Sequence, residues 1–360
     1  MKKTPHLTPP TSVWPIHTVR RVAAITLALG IAGALGAVMV YLSGASPLAV
    51  ARQLAAGALG SWNKFSQVLA AWTPLVLCAT GLLYTFRIGL WNIGIEGQVM
   101  MGAALATAAI RYGAPHLSPM ALLPLTFLIG AAGGALWAIC AGLLKTRGGV
   151  HEIFAGLGLN FVAQGVILWL IFGPWRRPGV ASMSGTEVFP VDTWLPMIRA
   201  LRISPVGLGV ALAAIAVTYW LLNTTRVGLS LKAVGGNPQA AVLYGLRPQR
   251  QMVLAMGLAG ACAGLAGCIQ VTGIYHRLIP AISSNYGYLA LLVVMLANYR
   301  IVAAAGVAFF FACLTVGSIQ LPMVLQLDSS LSGVIQGALV LSALGAAGWY
   351  QRRSADGGRA

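Results

Sequence analysis

Charge is what this sequence has least of. Only six of its 360 residues are Asp or Glu, and Asp, Glu, Lys and Arg together make up 8%. A soluble domain carries about 25%, so a water-exposed surface cannot be built here and a soluble globular enzyme is excluded. Near the apolar runs stand only two acids, Glu96 and Glu152. That is too few for a catalytic carboxylate pair, or for a proton relay, which needs a chain of Asp, Glu or His across the membrane. Cysteine is scarce as well: Cys78, Cys140, Cys262, Cys268 and Cys313 are odd in number and lie in apolar runs. They exclude a disulfide scaffold and read as small apolar filler. No G-x-x-x-x-G-K-[ST] occurs, so the chain does not bind ATP through a P-loop. His151-Glu152 lacks the second His at helical spacing that a zinc motif needs. No cofactor or metal is expected.

What is present is apolar. Hydrophobic residues make up 58%, mean hydropathy is +0.82, and the 44 glycines suit close helix packing in lipid. The bilayer is the solvent in which such runs remain on the outside. The net charge of +17 comes in ones and twos between apolar runs. That is the distribution of membrane topology signals, not the basic stripe of a nucleic-acid module, so no nucleic-acid partner is expected. Ten runs approach the length of a spanning helix: 22–43, 67–86, 91–111, 119–144, 153–173, 204–222, 251–272, 284–299, 301–321 and 331–350. The first is too long for the core of a cleaved signal peptide. The expected fold is an all-α integral membrane protein, one transmembrane domain over residues 1–360 with about ten helices. An N-terminus inside places fifteen Lys and Arg on the inner side and eight on the outer, so both termini are expected in the cytoplasm of a bacterial inner-membrane protein. The tails are then 1–20 and 351–360, the long outer loop is 174–203, and 223–250 is a polar inner loop. Spans two to five and seven to ten, offset by five helices, are candidates for an inverted repeat.

Polar groups at membrane depth are costly without partners and mark candidate sites. The densest set is Trp91-Asn92-Ile93-Gly94-Ile95-Glu96-Gly97-Gln98. Gly89, Gly94 and Gly97 weaken the helix there, so a broken helix is expected, tolerated only against protein or a water-lined cavity. Asn92, Glu96 and Gln98 then either point into a pathway or form a helix cap and packing knot in which Glu96 bonds nearby amides. Asn160 and Gln164, four apart, share a helix face. A third set, Gln270 and Tyr275 to Tyr288 with Asn285 and Gly287, reads either as the counterpart of the first break or as an outer loop with an aromatic belt. In the inner loop, Asn237 is a good N-cap, Pro238 fits the first helical position and Gly245 is a natural stop. Residues 238–244 therefore read as a two-turn helix of apolar residues that wants a partner surface.

That loop, Thr225-Arg226-Val227-Gly228 followed by Lys232-Ala233-Val234-Gly235-Gly236-Asn237 and Ala240-Ala241 to Gly245, resembles the cytoplasmic coupling loop of ABC-importer permeases. The branch is the one for branched-chain amino acids and simple sugars. Asn92-Ile93-Gly94-Ile95-Glu96-Gly97-Gln98 is similar to the N-I-G-x-E-G-Q motif of its nucleoside-uptake subgroup, and Leu159-Asn160 resembles a further signature there. The resemblance runs over about residues 65–345. It implies a permease subunit whose drive comes from a cytoplasmic ABC ATPase and whose solute comes from an extracytoplasmic binding protein. A second permease chain, identical or sister, would complete the path. Carried over by position, Arg226, Gly228, Lys232, Ala233, Gly235, Asn237, Ala240, Ala241 and Gly245 fall in the coupling loop. Asn92, Gly94, Glu96, Gly97 and Gln98 fall in the first-half motif, and Asn285 and Tyr288 in a looser second-half match. A neutral polar solute is expected, a nucleoside or related base first and a simple sugar second. The rival of a different class is a stand-alone secondary transporter.

Overall fold

The computed structural model describes residues 46–177, 184–198 and 203–326, with position 179 and isolated positions at 34–44 and 333–345. The expected first and tenth spans and both tails therefore lie largely or wholly outside the described residues. Among those described there is no strand, only one isolated bridge between Ile198 and Ile203. Everything else is helix or connection, as a chain that must satisfy its backbone within lipid requires.

Two compact units divide the chain: residues 55–317, and residues 1–54 with 318–360. In the second, Val40 and Val50 cluster with Leu54, Leu321 and Leu325, and the Gln53 amide donates to Gln320 Oε1 at 3.2 Å. Val50, Gln53 and Leu54 belong to α1 (Pro47–Leu59), and Leu321 and Leu325 to a short late helix, Leu321–Leu325, with Gln320 at its N-cap.

The larger unit is a helical bundle. It contains α2 (Trp62–Arg87), α3 (Ile95–Gly113), α4 (Pro119–Thr146), α5 (Glu152–Phe172) and α6 (Pro205–Thr224). Then follow α7 (Arg226–Gly236), α8 (Pro238–Leu243), α9 (Pro248–Ile269), a π-turn (Gln270–Ile274), α10 (Tyr286–Leu296) and α11 (Ile301–Ser318). Local chemistry sets the starts. Ser61, Ser204 and Thr225 each accept a backbone N–H three residues on, the N-cap role that satisfies an orphan donor. Pro119, Pro205, Pro238 and Pro248 occupy first turns, where the missing N–H costs nothing.

Among the described residues, six helices are long and apolar enough to cross a membrane: Trp62–Arg87, Pro119–Thr146, Glu152–Phe172, Pro205–Thr224, Pro248–Ile274 and Ile301–Leu325. Two expected spans are corrected. The third, 91–111, begins as helix only at Ile95. The eighth, 284–299, shrinks to the eleven residues Tyr286–Leu296, a length of about 16 Å at 1.5 Å per residue, half of a hydrocarbon core. The connection 223–250, expected as an inner loop, is mostly helix.

Glycine faces let α2, α3 and α4 close on α9. Gly130 and Gly134 on α4 face Gly260, Gly264 and Cys268 on α9, with Gly102 of α3 also against Gly264. A Cβ on Gly134 would lie 2.7 Å from the Gly264 Cα, so the backbones touch. This is the small-x-x-x-small packing by which helices associate in lipid, where no hydrophobic force draws them together.

Candidate functional site

The chain leaves α2 at Arg87 and does not re-enter helix until Ile95. Gly89 sits at φ +80, a left-handed conformation that glycine takes without cost. Thr85 O accepts from both Ile88 N and Leu90 N, closing the end of α2. Beyond it, the Asn92 and Gln98 side chains bond each other reciprocally, Nδ2 to Oε1 at 3.1 Å and Nε2 to Oδ1 at 2.8 Å. Both are buried, so each supplies much of what the other needs away from water.

Asn160, midway along the 21-residue α5, holds this break in place. Its Oδ1 accepts from Gly97 N at 2.8 Å, and its Nδ2 donates to Ile93 O at 3.0 Å and to the Tyr288 hydroxyl at 3.1 Å. One turn earlier on α5, a Cβ on Gly156 would stand 2.6 Å from Gly94 N. The start of α3 therefore lies against the middle of α5. Glycine four residues before a membrane Asn was the available signal for Gly156, which sequence reasoning passed over.

A second break lies in the chain after α9. Helix α9 ends in the π-turn, and residues 275–285 run without helix to α10. Gln270 Nε2 donates to Ile282 O at 3.1 Å and Ser284 Oγ at 3.3 Å, Tyr275 and Ser284 share a hydroxyl bond at 3.0 Å, and Gln164 Nε2 donates to Pro280 O at 3.1 Å. His276, Ser284 and Asn285 are left-handed at φ +54, +50 and +59, conformations costly for residues with a Cβ and frequent at functional sites.

The two breaks meet at Glu96. The residue is 2% exposed, and its Oε2 accepts from Gly287 N at 2.8 Å, capping the start of α10 from the first turn of α3. The Ser283 hydroxyl and the Asn285 and Tyr288 amides surround the same carboxylate, though Oε1 makes no bond of full geometry. A Cβ on Gly287 would lie 2.5 Å from Oε2 and 2.9 Å from the Glu96 Cα. Asn92, Gly94, Glu96, Gly97, Gln98, Asn160 and Tyr288 are thus brought into one cluster. Asn285 stands beside it, exposed, and Tyr288 keeps 38% of its surface.

At the end of the bundle marked by Arg87, α7 and α8 form a second feature. Gly235 packs on the backbone of Arg87 and Ile88. Asn237 Oδ1 accepts from Gln239 N and Ala240 N, both at 3.0 Å, and Gly245 turns the chain at φ +78. The expected N-cap and stop are both in place. Gly228 is buried beneath the α6 terminus, while Arg226, Lys232, Ala233, Gly235, Asn237 and Gly245 are exposed and Ala240 is half-buried. Ala241 faces inward, 3% exposed, against Leu231, Val234, Ala255 and Met256. Outward stand Leu243 at 87% and Tyr244 at 86%. The exposed apolar face at α8 is therefore Val242-Leu243-Tyr244, and Ala241 is turned away from it. Nearby, Lys145 Nζ pairs with Glu152 at 2.8 Å across the α4–α5 turn.

The family described as "Branched-chain amino acid transport system / permease component" matches residues 64–344. Curated relatives span most of the chain. The glucose ABC transporter permease protein TsgB13 of Haloferax volcanii is 31% identical over 79% of this chain and 76% of its own. The guanosine ABC transporter permease protein NupP of Bacillus subtilis is 27% identical over 89% and 91%. The nucleoside ABC transporter permease protein NupB of Lactococcus lactis is 24% identical over 84% and 85%.

Proposed function

The chain belongs to the family of permease components of branched-chain amino acid transport systems, and we propose that it forms the translocation path of an ATP-driven importer for a nucleoside or related base. As a permease subunit it is a transport component and not an enzyme. The observation that carries the proposed path is the meeting of two helix starts, α3 and α10, at one carboxylate halfway along α5. Helix N-termini present free N–H groups and partial positive charge, and transporters place such interrupted helices at their solute sites. Apart from the buried Glu96 carboxylate, the polar groups there are amides and hydroxyls, which suits a neutral solute. Within the cluster, Tyr288 and Asn285 keep exposed surface, so they are the groups that meet the solute first.

The finer parts of the reading follow the same logic. Ten spans in two inverted sets of five would make the break at 88–94 and the break at 275–285 counterparts. Both termini, and the Arg226–Gly245 segment, would lie in the cytoplasm by the charge bias. There Leu243 and Tyr244 would enter a groove on a separate ATPase, whose closure alternates access to the path. A solute-binding protein would deliver solute to the 174–203 side, and a second permease chain, identical or sister, would complete the path. The guanosine and nucleoside relatives favour a nucleoside; the glucose relative keeps a simple sugar as the alternative.

Uptake of labelled guanosine, uridine and glucose by proteoliposomes holding the complete transporter tests this. Nucleoside uptake that needs ATP is expected, and Tyr288→Phe, which removes the hydroxyl bonded to Asn160, lowers it severalfold while the protein still inserts. Glucose uptake without nucleoside uptake selects the sugar reading. Uptake without any ATPase would mean a stand-alone transporter.

A further inference from the structure

Trp194 and His276 form a stack away from the cluster, with ring centroids 3.8 Å apart and planes at 10°. It is the parallel pair among the described residues; the other ring contacts are edge-on or tilted. Both residues are only half-buried, so neither ring is sealed into the core.

The two rings are held in different ways. Trp194 is fixed by bonds that do not involve the His276 ring. Its Nε1 donates to Phe189 O at 2.9 Å. Its loop is stapled to the second break by Thr186 N to Leu278 O and Phe189 N to His276 O, each 2.9 Å, and Leu195 N to Thr272 O at 3.1 Å. The His276 side chain has one hydrogen-bond contact, Nδ1 to Thr272 O at 3.0 Å. Its backbone is left-handed and lies two residues past a π-turn, after Tyr275. Such turns recur at functional sites. The shelf therefore stays when the imidazole leaves.

We propose that the Trp194 indole is a stacking shelf for the base of the transported nucleoside, with the His276 ring as its resident placeholder. The proposal rests on the nucleoside reading given above. Imidazole is the five-membered half of a purine, so a base that displaces it meets the indole in the same parallel contact. Stacking of this kind tolerates every base, because each has a π-face, and the shelf accordingly selects for a planar heteroaromatic rather than for one base. His276 also heads the segment that runs down through Pro280, bonded to Gln164, to Ser283 and Tyr288.

The test is equilibrium binding of labelled guanosine to the purified permease–ATPase complex without the solute-binding protein, with guanine and ribose as competitors. Trp194→Leu should raise Kd about fivefold or more, and Trp194→Phe, which keeps a π-face, should restore most of the affinity. His276→Ala should lower Kd below the wild-type value, because no placeholder has to be displaced. Guanine should compete and ribose should not. Should Trp194→Leu fail to insert, His276→Ala decides alone: an unchanged or raised Kd overturns the shelf. A Trp194→Leu complex that binds guanosine as tightly as wild type also overturns it and leaves the nucleoside reading standing. A wild-type complex that binds glucose and no nucleoside removes that reading, and the shelf with it.

Discussion

Gly287→Ala is the smallest change that reaches the junction of the two breaks. A Cβ at that position would lie 2.5 Å from Glu96 Oε2, 2.8 Å from Glu96 N and 2.9 Å from Glu96 Cα. Carbon atoms rest at about 3.5–4.0 Å, so the start of α10 must withdraw from α3 by several tenths of an ångström or more. Two of the three atoms are backbone on the first turn of α3, which Asn160 holds from α5; they cannot swing aside as a side chain would. Overpacking of this kind costs about 1–3 kcal/mol. The same displacement stretches the 2.8 Å Gly287 N–H bond to Glu96, and weakening a buried charge-assisted bond adds about 1.5–3 kcal/mol where it is lost outright. The sum is enough to shift the junction's population by one order of magnitude or more, at about 1.4 kcal/mol per decade. Uptake should therefore fall at least tenfold, with a lower aggregation temperature in detergent and normal insertion. Glu96→Ala does not rescue it, because the backbone contacts remain. Wild-type uptake and aggregation temperature in Gly287→Ala would show that α10 does not seat on α3 as the structure has it.

Three further outcomes are expected. Leu243→Glu and Tyr244→Glu should leave the permease folded and reduce co-purification of its ATPase, whereas Ala241→Glu, buried against Leu231 and Met256, should destabilise the permease itself; a folded Ala241→Glu variant with normal ATPase binding would contradict the inward face. Single cysteines at Val188 and Leu243 in a cysteine-free background should label from opposite sides of the membrane, and same-side labelling would sink the threading; Gly185, at φ +129 and pressed on Leu278 O, is a poor host for the outer probe. Burial outweighs the Thr272 contact and holds the His276 imidazole below its ordinary value. The unfolded chain thus takes the proton first, and stability present above about pH 6.5 is lost as pH falls through the folded value. Acidification should lower the melting temperature of wild type more than that of His276→Gln, and equal losses would remove His276 from this account.

How much of this could be read from the letters depended on contrast. Long uniform apolar runs marked the six helices that are long enough to span among the described residues, and clustered glycines gave the break before Ile95. Asn237-Pro238 with Gly245 gave the bounds of α8 almost to the residue. The length of α10 was not legible, because 284–299 is as apolar as a true span. What shortens it is backbone, with Asn285 left-handed at its start and Asn298 and Tyr299 left-handed beyond its end, and Tyr299 carries no conformational signature in sequence. The inward face of α8 was hidden for a related reason. With Ala240, Ala241, Val242, Leu243 and Tyr244 all apolar, no polar stripe marks the outside. Trp194 and His276 lie on separate loops, and only the fold joins them.

The polar residues themselves call for a different inference from the one their rarity invites. In lipid, a polar side chain signals a site because it has no other reason to be there. Here another reason is visible for most of them. A chain that breaks its helix at membrane depth strips several backbone groups of their partners. Asn160 spends its oxygen on the Gly97 amide and one of its bonds on the Ile93 carbonyl, both beside the first break. Glu96 spends one oxygen on the first amides of α10. Asn92 and Gln98 spend themselves on each other. The cluster is first of all the means by which two broken helices are tolerated. On the proposed path, what would remain for a solute is what the repair leaves over: the exposed part of Tyr288, the side chain of Asn285, and the movement of α10 that would release the Gly287 amide. A solute that competes for that amide would loosen α10 from α3, which would make occupancy and opening of the path a single event.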